Sequence, residues 1–197
     1  MIFEDLNLKV HDIDKIANLM YEVDFRTYDF VFKNKSEVIN AIKERLILDS
    51  KKFTNEFKVI IENNELVGFF YYTDSKKSLL KEIGFLFKNL SFTNASSFST
   101  IEVLDYFVLS DFKKGDVYLA EIAIDPLKQG QGLGGKALNL IIENFKKENY
   151  EKLILDVDFR NESAKALYEK LGFIVFNKKS VKIFSFERGM YNMELFL

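Results

Sequence analysis

Between Gln129 and Lys136 the chain reads Gln-Gly-Gln-Gly-Leu-Gly-Gly-Lys, with four glycines in six residues. An apolar, β-rich run, Val117 to Ile124, precedes this stretch. An amphipathic helix is predicted after it, over Lys136 to Asn149, with Leu138, Ile141, Ile142 and Phe145 on one face. The loop between them, Asp125 to Gly135, holds the only proline, Pro126. Glycine lets a backbone turn tightly and approach a ligand closely. A helix start adds N–H groups without intrahelical partners and the positive end of the dipole. Strand, glycine loop and helix together form a site for an anion, most naturally a phosphate or pyrophosphate. An ordinary turn needs fewer glycines than this.

The loop fits three phosphate-holding patterns, and the pattern alone does not choose among them. Gly130 to Lys136 fits the first seven positions of a P-loop, but residue 137 is Ala where a Mg²⁺-binding hydroxyl belongs. Gly130, Gly132 and Gly135 fit a dinucleotide fingerprint, with Asp156 at roughly the right distance downstream. Against that reading, only 62 of the 197 residues follow Gly135, and five residues separate the strand from the first glycine. The third pattern is an acyl-CoA loop, Gln/Arg-x-x-Gly-x-Gly/Ala, which Gln129, Gly132 and Gly134 match.

Composition removes several alternatives. The absence of cysteine excludes disulfides, Cys nucleophiles, iron–sulfur clusters and Cys-based zinc sites. The single histidine, His11, excludes a His-rich metal centre and is read as non-catalytic, so no metal is expected. A formal net charge of −2 argues against a nucleic-acid binder held by bulk positive charge. There is no apolar run of membrane-spanning length, and the acidic start Met1 to Asp5 does not read as a signal peptide. A soluble, cytoplasmic protein is expected. With 48% hydrophobic residues, 197 residues suit a single domain with a real core.

Upstream of the loop the pattern is less specific. Ile13, Ile16, Ala17 and Met20 predict a helix over 12–24, and a loop is read from Phe25 to Lys35. Ser36 is the expected cap of a second helix to about Leu48. Phe57–Glu62 and Leu66–Thr73 flank the turn Asn63-Asn64-Glu65 and predict a hairpin. Residues 74–116 read weakly: a helix over Ser78–Leu90, a Ser/Thr-rich stretch Phe92–Thr100, and helix or strand over Ile101–Leu109. Beyond the glycine loop, Lys152–Asp158 reads as a strand and Asn161–Leu171 as a short helix closed by Gly172. Phe173–Phe176 and Met190–Phe196 read as two further strands.

A second block of residues separates the three loop readings. Asn161-x-x-Ala164-x-x-Leu167-Tyr168-x-x-Leu171-Gly172-Phe173 follows the strand Leu153-Ile154-Leu155-Asp156-Val157, and neither a P-loop nor a dinucleotide fold predicts it. From about Val117 to Phe173 the sequence resembles the GNAT family of N-acetyltransferases. The resemblance implies an α/β (α+β) GNAT fold: a central mixed, mostly antiparallel, splayed sheet flanked by helices. Residues 1–197 would form one such domain, with an extended segment at about 74–116 that covers either the acceptor cleft, the core or a dimer contact.

The resemblance also implies acetyl-CoA as cosubstrate and direct transfer of the acetyl group to a primary amine. The backbone of Ile122, Ala123 and Ile124 would then bind the pantetheine arm. The loop Gln129, Gly130, Gln131, Gly132, Leu133, Gly134 and Gly135, with Lys136, would hold the pyrophosphate. Asn161 and Ala164 would line the CoA arm, and Tyr168 would protonate the leaving thiolate. Gln129 stands where many members carry Arg, so one phosphate cation is missing; Lys128, Lys136, Lys165 or Lys170 could supply it.

An attacking lysine amine titrates near 10.4 and an α-amine near 7.7–8.0, so a base helps to free the nucleophile. Asp156, at the position where ribosomal-protein N-terminal acetyltransferases carry Glu, and Glu121 are the two candidates, and each also suits a merely solvated or salt-bridged carboxylate. The alternatives are a non-catalytic acyl-CoA-binding sensor or assembly module on the same fold, or a nucleotide-binding protein using the same loop. The acceptor is a small-molecule or peptide amine. Homodimerisation is common in the family, and nothing in the sequence shows it.

Overall fold

The computed structural model describes residues 1–50, 56–76 and 78–197. In chain order the elements are β1 (Ile2–Asp5), α1 (Ile13–Val23), α2 (Phe25–Val31), α3 (Lys35–Asp49), β2 (Phe57–Glu62), β3 (Glu65–Thr73), α4 (Leu79–Asn89), α5 (Phe92–Val108), β4 (Asp116–Ile124), α6 (Leu133–Lys147), β5 (Lys152–Asp158), α7 (Glu162–Lys170), β6 (Ile174–Ile183) and β7 (Phe186–Phe196). The strands follow the order β1-β2-β3-β4-β5-β7-β6 in a mixed, mostly antiparallel sheet, as expected. Two compact units share the chain. One comprises Met1–Tyr71, Lys77–Val103 and Glu121–Leu127; the other Tyr72–Lys76, Leu104–Ala120 and Lys128–Leu197.

The first unit is built on α1, α3 and the β2–β3 hairpin. Asp12 caps α1 by accepting from the amides of Asp14 and Lys15. Asn34, not Ser36, caps α3, and its side chain accepts from the Glu37 amide. The hairpin turns on Asn63 and Asn64, both with positive φ (53° and 63°), the conformation that the tight two-residue turn requires. Ile16, Ala17, Val38, Ile42, Val59, Phe69 and Leu86 bury the apolar faces in one cluster. Phe57 and Phe69 stack within it at 5.1 Å. One buried charge cluster sits beside this core. Arg45 pairs with Asp49 and with Glu82, both buried, and lies 4.0 Å from Glu102.

Gly68 decides how closely β3 can meet β4 in this unit. A Cβ at residue 68 would lie 2.2 Å from the Ala123 carbonyl oxygen, a distance no side chain tolerates against backbone. The Asp125 amide donates to the Val67 carbonyl at 2.8 Å just beyond it. Backbone groups of successive strand residues point to alternate edges. The Ala123 carbonyl is turned toward β3, so by this alternation the Ile122 carbonyl points to the opposite edge of β4.

The second unit holds the glycine loop. β4 pairs with β5 in parallel from Asp116–Lys152 to Leu119–Leu155, where the ladder stops although both strands continue. β5 and β7 pair antiparallel from Lys152–Phe196 to Asp158–Met190, and β6 and β7 form a long hairpin. Leu138, Ile141, Ile142 and Phe145 of α6 are buried at the spacing read from the sequence. Leu153, Leu155 and Met193 are buried on the strands.

Several sequence expectations change here. Phe25 to Val31 is helical, where a loop was expected. The weakly read 74–116 segment, in which residue 77 lies outside the described residues, contains two helices, and its Ser/Thr-rich stretch is the first half of α5. α6 begins at Leu133, three residues earlier than predicted, so Gly134 and Gly135 lie inside its first turn. β6 and β7 are each longer than the strands read at their positions.

Two measurements test these packing statements. Gly68→Ala is expected to cost about 1–3 kcal/mol, because the strands must separate to admit the methyl; a urea midpoint equal to that of the parent protein contradicts the close approach. Arg45→Met strips two buried carboxylates of their cation and is expected to destabilise by about 3–5 kcal/mol in the same assay.

Candidate active site

Two glycines in the loop adopt the left-handed conformation: Gly130 at φ 76° and Gly132 at φ 75°. Space is open where a Cβ would stand at either one, so it is backbone geometry and not crowding that calls for glycine there. Gly132 is the N-cap of α6, and its carbonyl accepts the first intrahelical bond, from the Lys136 amide at 3.0 Å. No side chain caps this end. The amides of Leu133, Gly134 and Gly135 therefore precede the first intrahelical donor, and the dipole makes this end positive. A Cβ at Gly135 would stand 3.6 Å from Leu167 on α7, which packs against this first turn. An open, backbone-lined cradle at a positive helix end fits a pyrophosphate.

Tyr168 follows Leu167 on α7. Its ring is buried and lies 5.7 Å from that of Phe173. Its hydroxyl makes no hydrogen bond to another described residue. Burial pushes its pKa up to about 12, so it keeps its proton at neutral pH. Asn161 is the N-cap of α7: its Oδ1 accepts from the Ala164 amide at 3.1 Å and from Ser163 Oγ. Lys165 is paired with Glu169 at 2.6 Å and lies over the Tyr191 ring.

Asp156 is heavily engaged. Its carboxylate accepts from the Ser110 amide at 2.8 Å, Ser110 Oγ at 2.6 Å, Tyr118 Oη at 2.7 Å and Asn192 Nδ2. Burial first, and the Asp156 charge second, push the Tyr118 phenol well above its usual range. No local pattern in the sequence points to this group, because Ser110, Tyr118 and Asn192 stand at separations of 46, 38 and 36 residues from Asp156.

Glu121, in the first unit, lies half-buried on β4. Burial, and then Glu56, Asp49 and Glu121, raise the Tyr71 phenol well above its usual range. Tyr71 donates to Glu56 Oε2 at 3.4 Å. Ile122, Ala123 and Ile124 continue the same strand, and the Ala123 carbonyl is turned to Gly68. His11 is tied to Glu4 at 3.2 Å and accepts from the Asn7 amide. Among the described residues no group of His, Cys, Asp or Glu is placed to hold a metal ion, and no helix is long and apolar enough to cross a membrane.

The fold is that of solved N-acetyltransferases. An N-acetyltransferase from Staphylococcus aureus Mu50 superposes with a TM-score of 0.73 at 19% identity, over 99% of this chain and 100% of that one. A Salmonella typhimurium protein solved with its cofactor acetyl-CoA superposes with a TM-score of 0.59 at 15% identity, over 99% and 92%. The model of the Acetyltransferase (GNAT) family matches residues 18–173, so the chain belongs to the GNAT acetyltransferase family. The [ribosomal protein bS18]-alanine N-acetyltransferase of Escherichia coli K12 is 39% identical over 67 residues. That match takes in 34% of this chain and 45% of the enzyme, so the chain spans about half the length of the curated relatives it matches.

Gly132→Ala tests the loop geometry. A left-handed alanine costs roughly 1–2 kcal/mol, and relief by rotating the peptide re-aims the first amides of α6. The expected result is a several-fold weaker calorimetric affinity for CoA with helix content unchanged; equal affinity removes the loop from the site.

Proposed function

We propose that this protein transfers an acetyl group from acetyl-CoA directly to a primary amine, as a single GNAT domain. The observation that carries this reading is the uncapped, glycine-opened start of α6, together with family membership over residues 18–173. Acetyl-CoA supplies an activated thioester. The amides from Gly130 to Gly135 hold its diphosphate, with Gln129, Gln131 and Lys136 around them. The backbone of Ile122 and Ile124, at the end of β4, borders the pantetheine arm. Ala123 contributes its methyl side. Asn161, beyond its capping role, and Ala164 border the same arm.

In the reaction the amine nitrogen attacks the thioester carbonyl carbon. The N–C bond forms, the C–S bond breaks, and the thiolate leaves. A backbone amide near Ile122 steadies the developing oxyanion. Tyr168, still protonated at neutral pH, gives its proton to the sulfur and regains one from solvent. The proton lost by the amine goes to a base through water. Glu121 is the better candidate for that base, since Asp156 already accepts four hydrogen bonds. The acceptor is a small-molecule or peptide amine, and the likeness to the bS18-alanine enzyme favours an α-amine. No metal takes part in this scheme. The cysteine-free composition supports a cytoplasmic location.

A thiol-release screen over α-amines, lysine peptides, polyamines and small metabolites tests the reading. Turnover with at least one class is expected. Tyr168→Phe should lower kcat by roughly tenfold to a hundredfold with acetyl-CoA affinity within about threefold. Tight CoA binding without turnover on any amine points instead to an acyl-CoA sensor, and no CoA binding by folded protein ends both readings.

A further inference from the structure

The four donors on Asp156 come from three residues on separate parts of the chain, Ser110 just past α5, Tyr118 on β4 and Asn192 on β7, and their arrangement is regular. Asp156 on β5 is the direct cross-strand partner of Asn192 on β7. Tyr118 on β4 pairs with Ile154, two residues before Asp156, so its side chain shares the Asp156 face as a diagonal neighbour. The three side chains form a polar row over β4, β5 and β7. The end of α5 closes on that row: Asn192 Nδ2 also donates to the Val108 carbonyl at 3.0 Å, and Ser110 donates twice to the carboxylate. Lys179 Nζ caps the Leu109 carbonyl at 2.7 Å, and Arg188 pairs with Asp105 at 2.6 Å.

The orientation of Asn192 shows that the carboxylate organises the group. Its amide directs Nδ2 at two acceptors and leaves the fully buried Oδ1 without a hydrogen-bond partner among the described residues. The flipped amide would set oxygen against the Asp156 and Val108 oxygens. Leaving one buried acceptor unmade is the lesser cost.

The place of the Tyr118–Asp156 bond matters as well. The β4–β5 ladder ends at Leu119–Leu155, and this side-chain bond spans the same two strands at that last rung.

We infer that Asp156 is a positioning residue and not the proton acceptor. Through Tyr118, Ser110 and Asn192 it clasps β4, β7 and the α5 exit to β5, and so fixes the point at which β4 leaves β5. The inference rests on the proposed acetyl-CoA reading only in its effect on cosubstrate affinity.

Two variants test it: Asp156→Asn and Tyr118→Phe. Calorimetry with acetyl-CoA should show Tyr118→Phe and Asp156→Asn each weakening binding roughly threefold to tenfold, the size of an ordinary net hydrogen bond. On an amine that the parent protein acetylates, kcat/KM should fall in step with affinity, and the acidic limb of its pH profile should keep its midpoint. The Ser110 amide should exchange its hydrogen about tenfold faster in Asp156→Asn than in the parent protein. A base gives the opposite result: kcat falling about a hundredfold or more with affinity unchanged, or an acidic limb lost in Asp156→Asn alone, overturns the inference. If the parent protein acetylates nothing or binds no acetyl-CoA, the transferase reading fails by itself, and unchanged Ser110 exchange in Asp156→Asn still overturns the clasp. Should Asp156→Asn not fold, the affinity of Tyr118→Phe decides: parental binding defeats the inference and weakened binding upholds it.

Discussion

A backbone carbonyl standing where a side chain would otherwise be is the tightest constraint in the structure. The Ala123 oxygen occupies the space of a Cβ at position 68, so only glycine lets β3 and β4 meet there. That contact, with the Asp125–Val67 bond beside it, fixes which β4 residues spend their peptide groups on β3. Strand alternation then turns the Ile122 peptide toward the other edge. A missing methyl in one strand thus decides how closely the next strand can lie.

A similar economy governs the start of α6. Two left-handed glycines bring the chain into the helix with no side chain over its first amides. Serine, threonine or aspartate at the cap would stabilise the helix more, by accepting from one of those amides. Glycine forgoes that bond, and no side chain caps those donors. The glycines that follow, Gly134 and Gly135, are poor helix formers inside the first turn, yet the turn forms because Leu138, Ile141 and Phe145 bury the face behind it. Local propensity is overridden by packing one turn later, and for that reason the sequence reading began the helix at Lys136.

What the sequence revealed and what it hid follow the range of the interactions. The Asn63-Asn64 turn, the Gly172 stop at φ 95° and the apolar face of α6 are set within a few residues, and each was legible. The glycine loop and the Asn161 to Phe173 block were legible because a ligand-facing turn and a capped short helix need particular residue types at fixed offsets. α5 was not, because its Ser/Thr-rich first half carries no clear apolar period and is held by tertiary contacts such as Ser97 Oγ to the Val31 carbonyl. β1 has only four residues and pairs with β2 from more than fifty residues away. The partners of Asp156 escaped notice for the same reason, since they converge only when three strands and a helix end are in place.

That convergence bears on how a carboxylate is read from sequence. Read by its position in the strand alone, Asp156 is a candidate base. A base needs an acceptor lone pair turned to the amine or to a water beside it. Here four donors already point at the two oxygens, and a proton arriving on either would be set against N–H and O–H groups aimed at the same atoms. Releasing one donor to make room would leave it buried without an acceptor, since Tyr118 and Asn192 are both buried. The shorter aspartate side chain also keeps the charge close to the strand, where Tyr118 and Asn192 can reach it from either neighbour. Asp156 is therefore engaged in holding β4, β7 and the end of α5 to β5.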